Sequence, residues 1–115
     1  MLARENRLRT AEDFRSTMKH GRKATNQHLV IYLNRVDSPH PPRFGFVVAK
    51  TVGSAVQRNL VKRRSRAAIR ERLSSFQTGD SLVIRALPGL PGLSWNEFLE
   101  ELDQSLAKLA VTEIR

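Results

Sequence analysis

The stretch from Phe44 to Arg72, FGFVVAKTVGSAVQRNLVKRRSRAAIRER, constrains this chain more than any other. Phe44-Gly45-Phe46-Val47-Val48-Ala49 is a compact apolar run rich in β-formers. Thr51-Val52-Gly53-Ser54 interrupts it, and Gly53 is free to take φ > 0 in such a turn. From Ala55 onward Gly and Pro are absent until Gly79, and good helix formers dominate. A strand, a tight turn and a long basic helix are the expectation. On a wheel at about 100° per residue, Val56, Leu60, Val61, Ala67 and Ala68 share an arc of roughly 140°. Arg58, Asn59, Lys62, Arg63, Arg66 and Arg70 occupy the opposite side, while Arg64, Ile69, Arg72 and Leu73 break the pattern. One face is expected to pack on a sheet and the other to offer five cations and an amide. Residues 58–72 hold seven basic side chains and one acid, Glu71. Like charges at helical spacing repel by a few tenths of a kcal/mol per pair, which a polyanion laid on that face relieves. A merely solvated face would mix both signs.

The rest of the composition narrows the partner. The 115 residues suit one domain with a modest core. Without cysteine there is no disulfide framework and no thiolate chemistry. No apolar run approaches the ~20 residues that span a bilayer. The start, MLARENRLRTAEDF, has no apolar core of a secretory signal, so a cytoplasmic setting is expected. Net charge is +9, unevenly spread. Residues 1–72 carry 17 basic and 5 acidic residues, whereas residues 73–115 carry 3 and 6. A basic surface of this kind calls for an anionic partner. Nucleic acid is favoured over membrane, because the basic helix lacks the bulky apolar face that interfacial helices bury.

In chain order, residues 1–9 read as an irregular, flexible basic N-terminus of a single RNA-binding domain spanning residues 1–115. Thr10 is a helix N-cap with Ala11-Glu12-Asp13 as an acidic first turn. Phe14 and Met18 share a face, and Gly21 closes this helix as its C′ residue. Residues 22–27 are a polar connector that can begin a strand. His28–Arg35 and Arg43–Lys50 are strands, with a hairpin their natural pairing, and 36–42 is a Pro-rich loop. The basic helix follows, then a turn at Gly79-Asp80 and a strand over 81–86. LPGLPGL, residues 87–93, is a loop. Ser94-x-x-Glu97 has capping-box spacing, and Trp95, Leu99, Leu102, Leu106 and Leu109 form the apolar seam of a last helix. Glu97, Glu100, Glu101 and Asp103 lie on its outer face. The order α-β-β-α-β-α makes a small α+β sandwich, a three-to-four-stranded sheet packed with helices.

Self-sufficient catalysis finds no footing. His20, His28 and His40 lack metal-ligand spacing, and no phosphate loop or nucleophile motif occurs. Glu12 and Asp13 read as helix N-terminal acids rather than a catalytic pair.

At Lys50-Thr51-Val52-Gly53-Ser54-Ala55-Val56-Gln57-Arg58-Asn59-Leu60-Val61-Lys62-Arg63 the chain resembles the protein component of bacterial ribonuclease P. That family's signature runs roughly K-x-x-G-x-A-V-x-R-N-x-x-K-R with a further Arg, here Arg66. Asn6-Arg7-Leu8, Glu12-Asp13-Phe14, Lys19-His20-Gly21 and Gly79-Asp80 extend the likeness over residues 5–109. The resemblance implies an α+β domain with a left-handed β-α-β crossover, against the general rule. It implies a ribonucleoprotein endonuclease whose RNA subunit carries the chemistry, with the protein inactive alone and no catalytic residue in it. The implied partners are the catalytic RNA and precursor tRNA, with no membrane and no protein partner required. The implied cofactor is a divalent metal, Mg2+, bound mainly by the RNA, and metal binding by the protein stays open. Arg58, Asn59, Lys62, Arg63 and Arg66 would face the catalytic RNA, and Phe14, Tyr32 and Lys50 would line a cleft for the 5′ leader. Leu60, Thr51 and Met18 depart from the pattern, where a basic residue, Lys and an aromatic are common. A structural RNA-binding protein and a stand-alone nuclease are the other readings; the motif argues against the first and the missing carboxylate site against the second.

Overall fold

Four stretches with side chains alternating between the two faces build the sheet: β1, Arg22–Thr25; β2, Leu29–Arg35; β3, Arg43–Val47; and β4, Asp80–Ala86. The computed structural model describes residues 2–109. Three helices complete it: α1, Ala11–His20; α2, Ala55–Arg70; and α3, Trp95–Lys108. The connector after α1 is thus a fourth, edge strand, antiparallel to β2.

The sheet order is β1-β2-β4-β3. The expected hairpin between the second and third strands is therefore wrong. β4 lies between them, antiparallel to β2 and parallel to β3. The reason is burial. β4 is covered on both faces apart from Arg85 and needs two neighbours, whereas β3 is short and ends at Val47, three residues before its expected end. Parallel strands cannot be joined by a tight turn. The β3-to-β4 connection accordingly runs through all of α2.

Alternation sorts the core into two layers. Leu29, Ile31 and Leu33 of β2, Phe44 of β3 and Leu82, Ile84 and Ala86 of β4 join Val61, Ala68 and Ile69 of α2 and Phe98, Leu102 and Leu106 of α3. On the other face Val30, Tyr32 and Val83 pack with Leu8, and Phe14, Met18, Val47 and Leu87 close over them. The N-terminal segment, expected to be irregular, forms a 3-10 turn at Arg4–Asn6. It buries Leu2 and Leu8, and Arg7 bridges Phe44 as a short parallel addition to the free edge of β3.

Local signals hold unevenly. Thr10 caps α1 by accepting from Asp13 N at 3.0 Å, and Ser94 with Glu97 forms the expected capping box of α3. Gly21 has extended backbone rather than the left-handed cap conformation. Close approach of the Thr17 and Leu33 carbonyls, not φ, excludes a Cβ there. Gly53 is extended as well, with φ 161°. The α3 seam includes Phe98, which the spacing missed, and leaves Trp95 and Leu99 half-buried. Glu101, expected on the outer face, is half-buried and accepts from His28 N at 2.6 Å.

Candidate nucleic-acid interface

The basic helix is anchored at its start. Ser54 Oγ accepts from Gln57 N at 3.2 Å, and Gln57 Oε1 accepts from Ser54 N at 2.9 Å, a capping box that the Ser-x-x-Gln spacing announces. Its buried side is Val61, Ser65, Ala68 and Ile69. The wheel placed Val56, Leu60 and Ala67 there. Instead Val56 is 78% exposed, Ala67 is exposed and Leu60 is half-buried. The buried arc is rotated because two arginines lie along it. Arg64 donates to Leu93 O at 2.8 Å, tying α2 to the loop before α3. Arg72, just past α2, grips Asp103 of α3 with two bonds of 2.7 and 3.0 Å and donates to Ala68 O. Its hydrogen bond to Asp103 raises its pKa further above the ordinary guanidinium value. Hydropathy alone scores these two as outward-facing, yet they are structural.

Most of the other α2 cations are free among the described residues. Asn59, Lys62, Arg63 and Arg66 line one shallow depression of about 540 Å³ together with Val56. None of these four polar side chains makes a hydrogen bond or ion pair among the described residues. Lys62 and Arg66 are half-buried at their stems, and Asn59 and Arg63 are exposed. Four of the five expected residues are thus brought together. Arg58 is not with them: it is half-buried and donates to Gly53 O at 2.8 Å, fastening the turn that starts the helix.

The expected leader cleft lies on the other face of the sheet, under α1. Register puts Lys23, Tyr32, Val83 and Gly45 side by side across the four strands. Phe14 of α1 lies directly over Gly45; a Cβ there would run into the ring. This contact gives Gly45 a role in the site that no phosphate-loop motif predicts. Tyr32 belongs to the same patch but is only 8% exposed, so its ring packs as core. Lys50 is exposed in a 3-10 turn, Lys50–Val52, between β3 and α2. The next row along the sheet reads Thr25, Val30, Arg85 and Val47. Arg85 is exposed on this face beside Val47 and has no bonded partner among the described residues. Sequence reasoning passed over Arg85 and Lys23; for Arg85 the signal was available, since it is a lone cation in an otherwise apolar strand run.

The carboxylates are engaged or dispersed. Asp80 accepts from Arg35 Nε and Gln77 N, both at 3.0 Å, and Glu101 holds His28. Among the described residues no group of three or more His, Cys, Asp or Glu side chains could hold a metal ion. No helix among the described residues is long and apolar enough to cross a membrane.

Comparison with known proteins agrees with this geometry. The family model described as Ribonuclease P matches residues 2–110. A ribonuclease P protein component from Streptomyces griseus is 44% identical over 117 residues, covering 95% of each chain. One from Arthrobacter sp. is 42% identical, covering 92% of this chain and 78% of the relative. Among solved structures, the RNase P protein from Thermotoga maritima superposes with a TM-score of 0.76 at 25% identity, over 89% of this chain and 96% of that one. The Staphylococcus aureus RNase P protein shares the fold, with a TM-score of 0.80 at 24% identity over 92% and 96%. With the family model matched over residues 2–110 and relatives 42% and 44% identical over most of its length, the chain belongs to the ribonuclease P protein family.

Proposed function

We propose that this chain, as the protein component of the ribonuclease P ribonucleoprotein, serves removal of the 5′ leader from precursor tRNA by holding two RNAs on two faces. Asn59, Lys62, Arg63 and Arg66 bind the catalytic RNA, with Lys and Arg neutralising phosphates and releasing counterions. Arg58 contributes by fixing the turn that orients them. The leader lies along the sheet face beside α1, where Phe14 offers a stacking surface and Arg85, Lys23 and Lys50 offer charge. Tyr32 supports Phe14 from below. The RNA subunit supplies the cleavage chemistry with Mg2+ that it binds itself, and the protein needs no second protein and no membrane. The observation that carries this reading is the row of basic side chains on α2, unpaired among the described residues, beside Arg58, Arg64 and Arg72, which are engaged.

A cleavage assay on a precursor tRNA with a 5′ leader, at low magnesium, tests it. Protein alone, catalytic RNA alone and both together are compared. Efficient cleavage at the mature 5′ end only by the combination is expected. Cleavage by the protein alone, or no gain on adding it, overturns the reading.

A further inference from the structure

Between the two faces lies a cleft that draws residues from both. It has a volume of about 150 Å³ and is bounded by Arg7, Phe14, Gly45, Phe46, Lys62 and Arg66. It opens at the free edge of β3, the outermost strand on that side. The N-terminal segment pairs with this edge only at Phe44, where Leu8 N donates to Phe44 O at 2.9 Å. Phe46, two residues on along the same edge, pairs with β4 on its inner side and has no neighbouring strand on its outer side among the described residues. The cleft thus carries three cations and no acid and wraps the unpaired strand edge, with one aromatic ring from each face of the sheet, Phe46 from the α2 side and Phe14 from the α1 side. Lys62 and Arg66 have no hydrogen-bond or ion-pair partner among the described residues, and Arg7 is held in place by a bond from Nη2 to Leu2 O at 3.2 Å.

The geometry points to a pocket for one unstacked nucleotide at the seam between the two RNA-binding faces. Its base rests against Phe14 and Phe46, where the peptide edge of β3 can read it, and its phosphate is gripped by Arg7, Lys62 and Arg66. Aromatic faces accept any base, and the cations fix the backbone beside them. Arg7 and Phe46 are the members that the motif on α2 does not contain. This inference rests on the two-face reading above and adds a site to it. The nucleotide belongs either to the leader or to the catalytic RNA, and the test separates the two.

Phe46→Leu keeps an apolar side chain and removes the ring; Arg7→Gln removes the charge. The reconstituted holoenzyme is assayed for binding precursor tRNA with and without its leader, and each protein is assayed for binding the catalytic RNA. Leaders with a single abasic position are scanned in wild type and variants. Each variant is expected to lose roughly tenfold in affinity for one of the two RNAs. If the leader is the source, the loss vanishes without the leader and is absent at one abasic position, because the base it would stack is already missing. If the catalytic RNA is the source, the loss appears in that binding and does not depend on the leader. A structural role would weaken every substrate alike with a lowered melting temperature, and that outcome overturns the pocket. Wild-type binding by both variants overturns it too. Failure of the wild-type protein to aid cleavage would instead sink the two-face reading.

Discussion

Arg63 and Arg72 carry the same charge in one basic run, yet they do different work. Arg72 is engaged by Asp103 and the Ala68 carbonyl, whereas Arg63 has no hydrogen-bond or ion-pair partner among the described residues. Replacing Arg72 by Ala removes hydrogen bonds to a charged partner and is expected to cost about 1–2 kcal/mol in thermal unfolding. Arg63→Gln is expected to leave stability within about 0.5 kcal/mol and to lower the salt slope of RNA binding by about 1. A melting curve and a salt titration of each variant check both. Gly45 is the other decisive residue. A Cβ there meets the Phe14 ring, so Gly45→Ala is expected to displace Phe14, at about 1–3 kcal/mol of overpacking. Leader binding should fall while catalytic-RNA binding holds, read as the affinity ratio of leader-bearing to leaderless precursor. The candidate cations were legible in sequence as a class. Which were free was not, because that depends on Leu93 and Asp103, each about 30 residues away.

At the scale of elements, caps and periodicity located the helices well because these signals are local. Thr10 and the Ser94–Glu97 box start α1 and α3 where expected. Strand pairing failed because it is decided by burial across the whole chain: nothing near β2 or β3 says that β4 will lie between them. The fixing of β4 is itself testable. Asp80 is buried and takes hydrogen bonds from Arg35 and Gln77, so Asp80→Ala should cost about 2–3 kcal/mol in chemical unfolding. The α3 cap carries a pH signature. Hydrogen bonding from the Ser94 backbone and side chain lowers the Glu97 pKa below its ordinary 4.5. A depressed folded-state value means that the contribution is present above the unfolded pKa and is lost as pH falls through the folded one. The stability difference between wild type and Glu97→Gln should therefore shrink as pH drops below about 4.5, as followed by melting across that range.

Over the whole molecule, charge and topology act together. The first 72 residues hold the positive excess, and the fold distributes it to the α2 surface and to the sheet face under α1. The sheet separates these faces, so each can take its own RNA. The family resemblance implied that division, but Gly45, Lys23 and Arg85 were not legible in it, because they reach the sheet face under α1 through register alone. The most direct test measures two affinities for Phe14→Leu and for Arg63→Gln: protein for catalytic RNA, and holoenzyme for precursor tRNA with against without its leader. Arg63→Gln should weaken the first and leave the leader ratio unchanged, and Phe14→Leu should do the reverse. If either variant changes both quantities to the same extent, the two faces do not act separately and the account is contradicted.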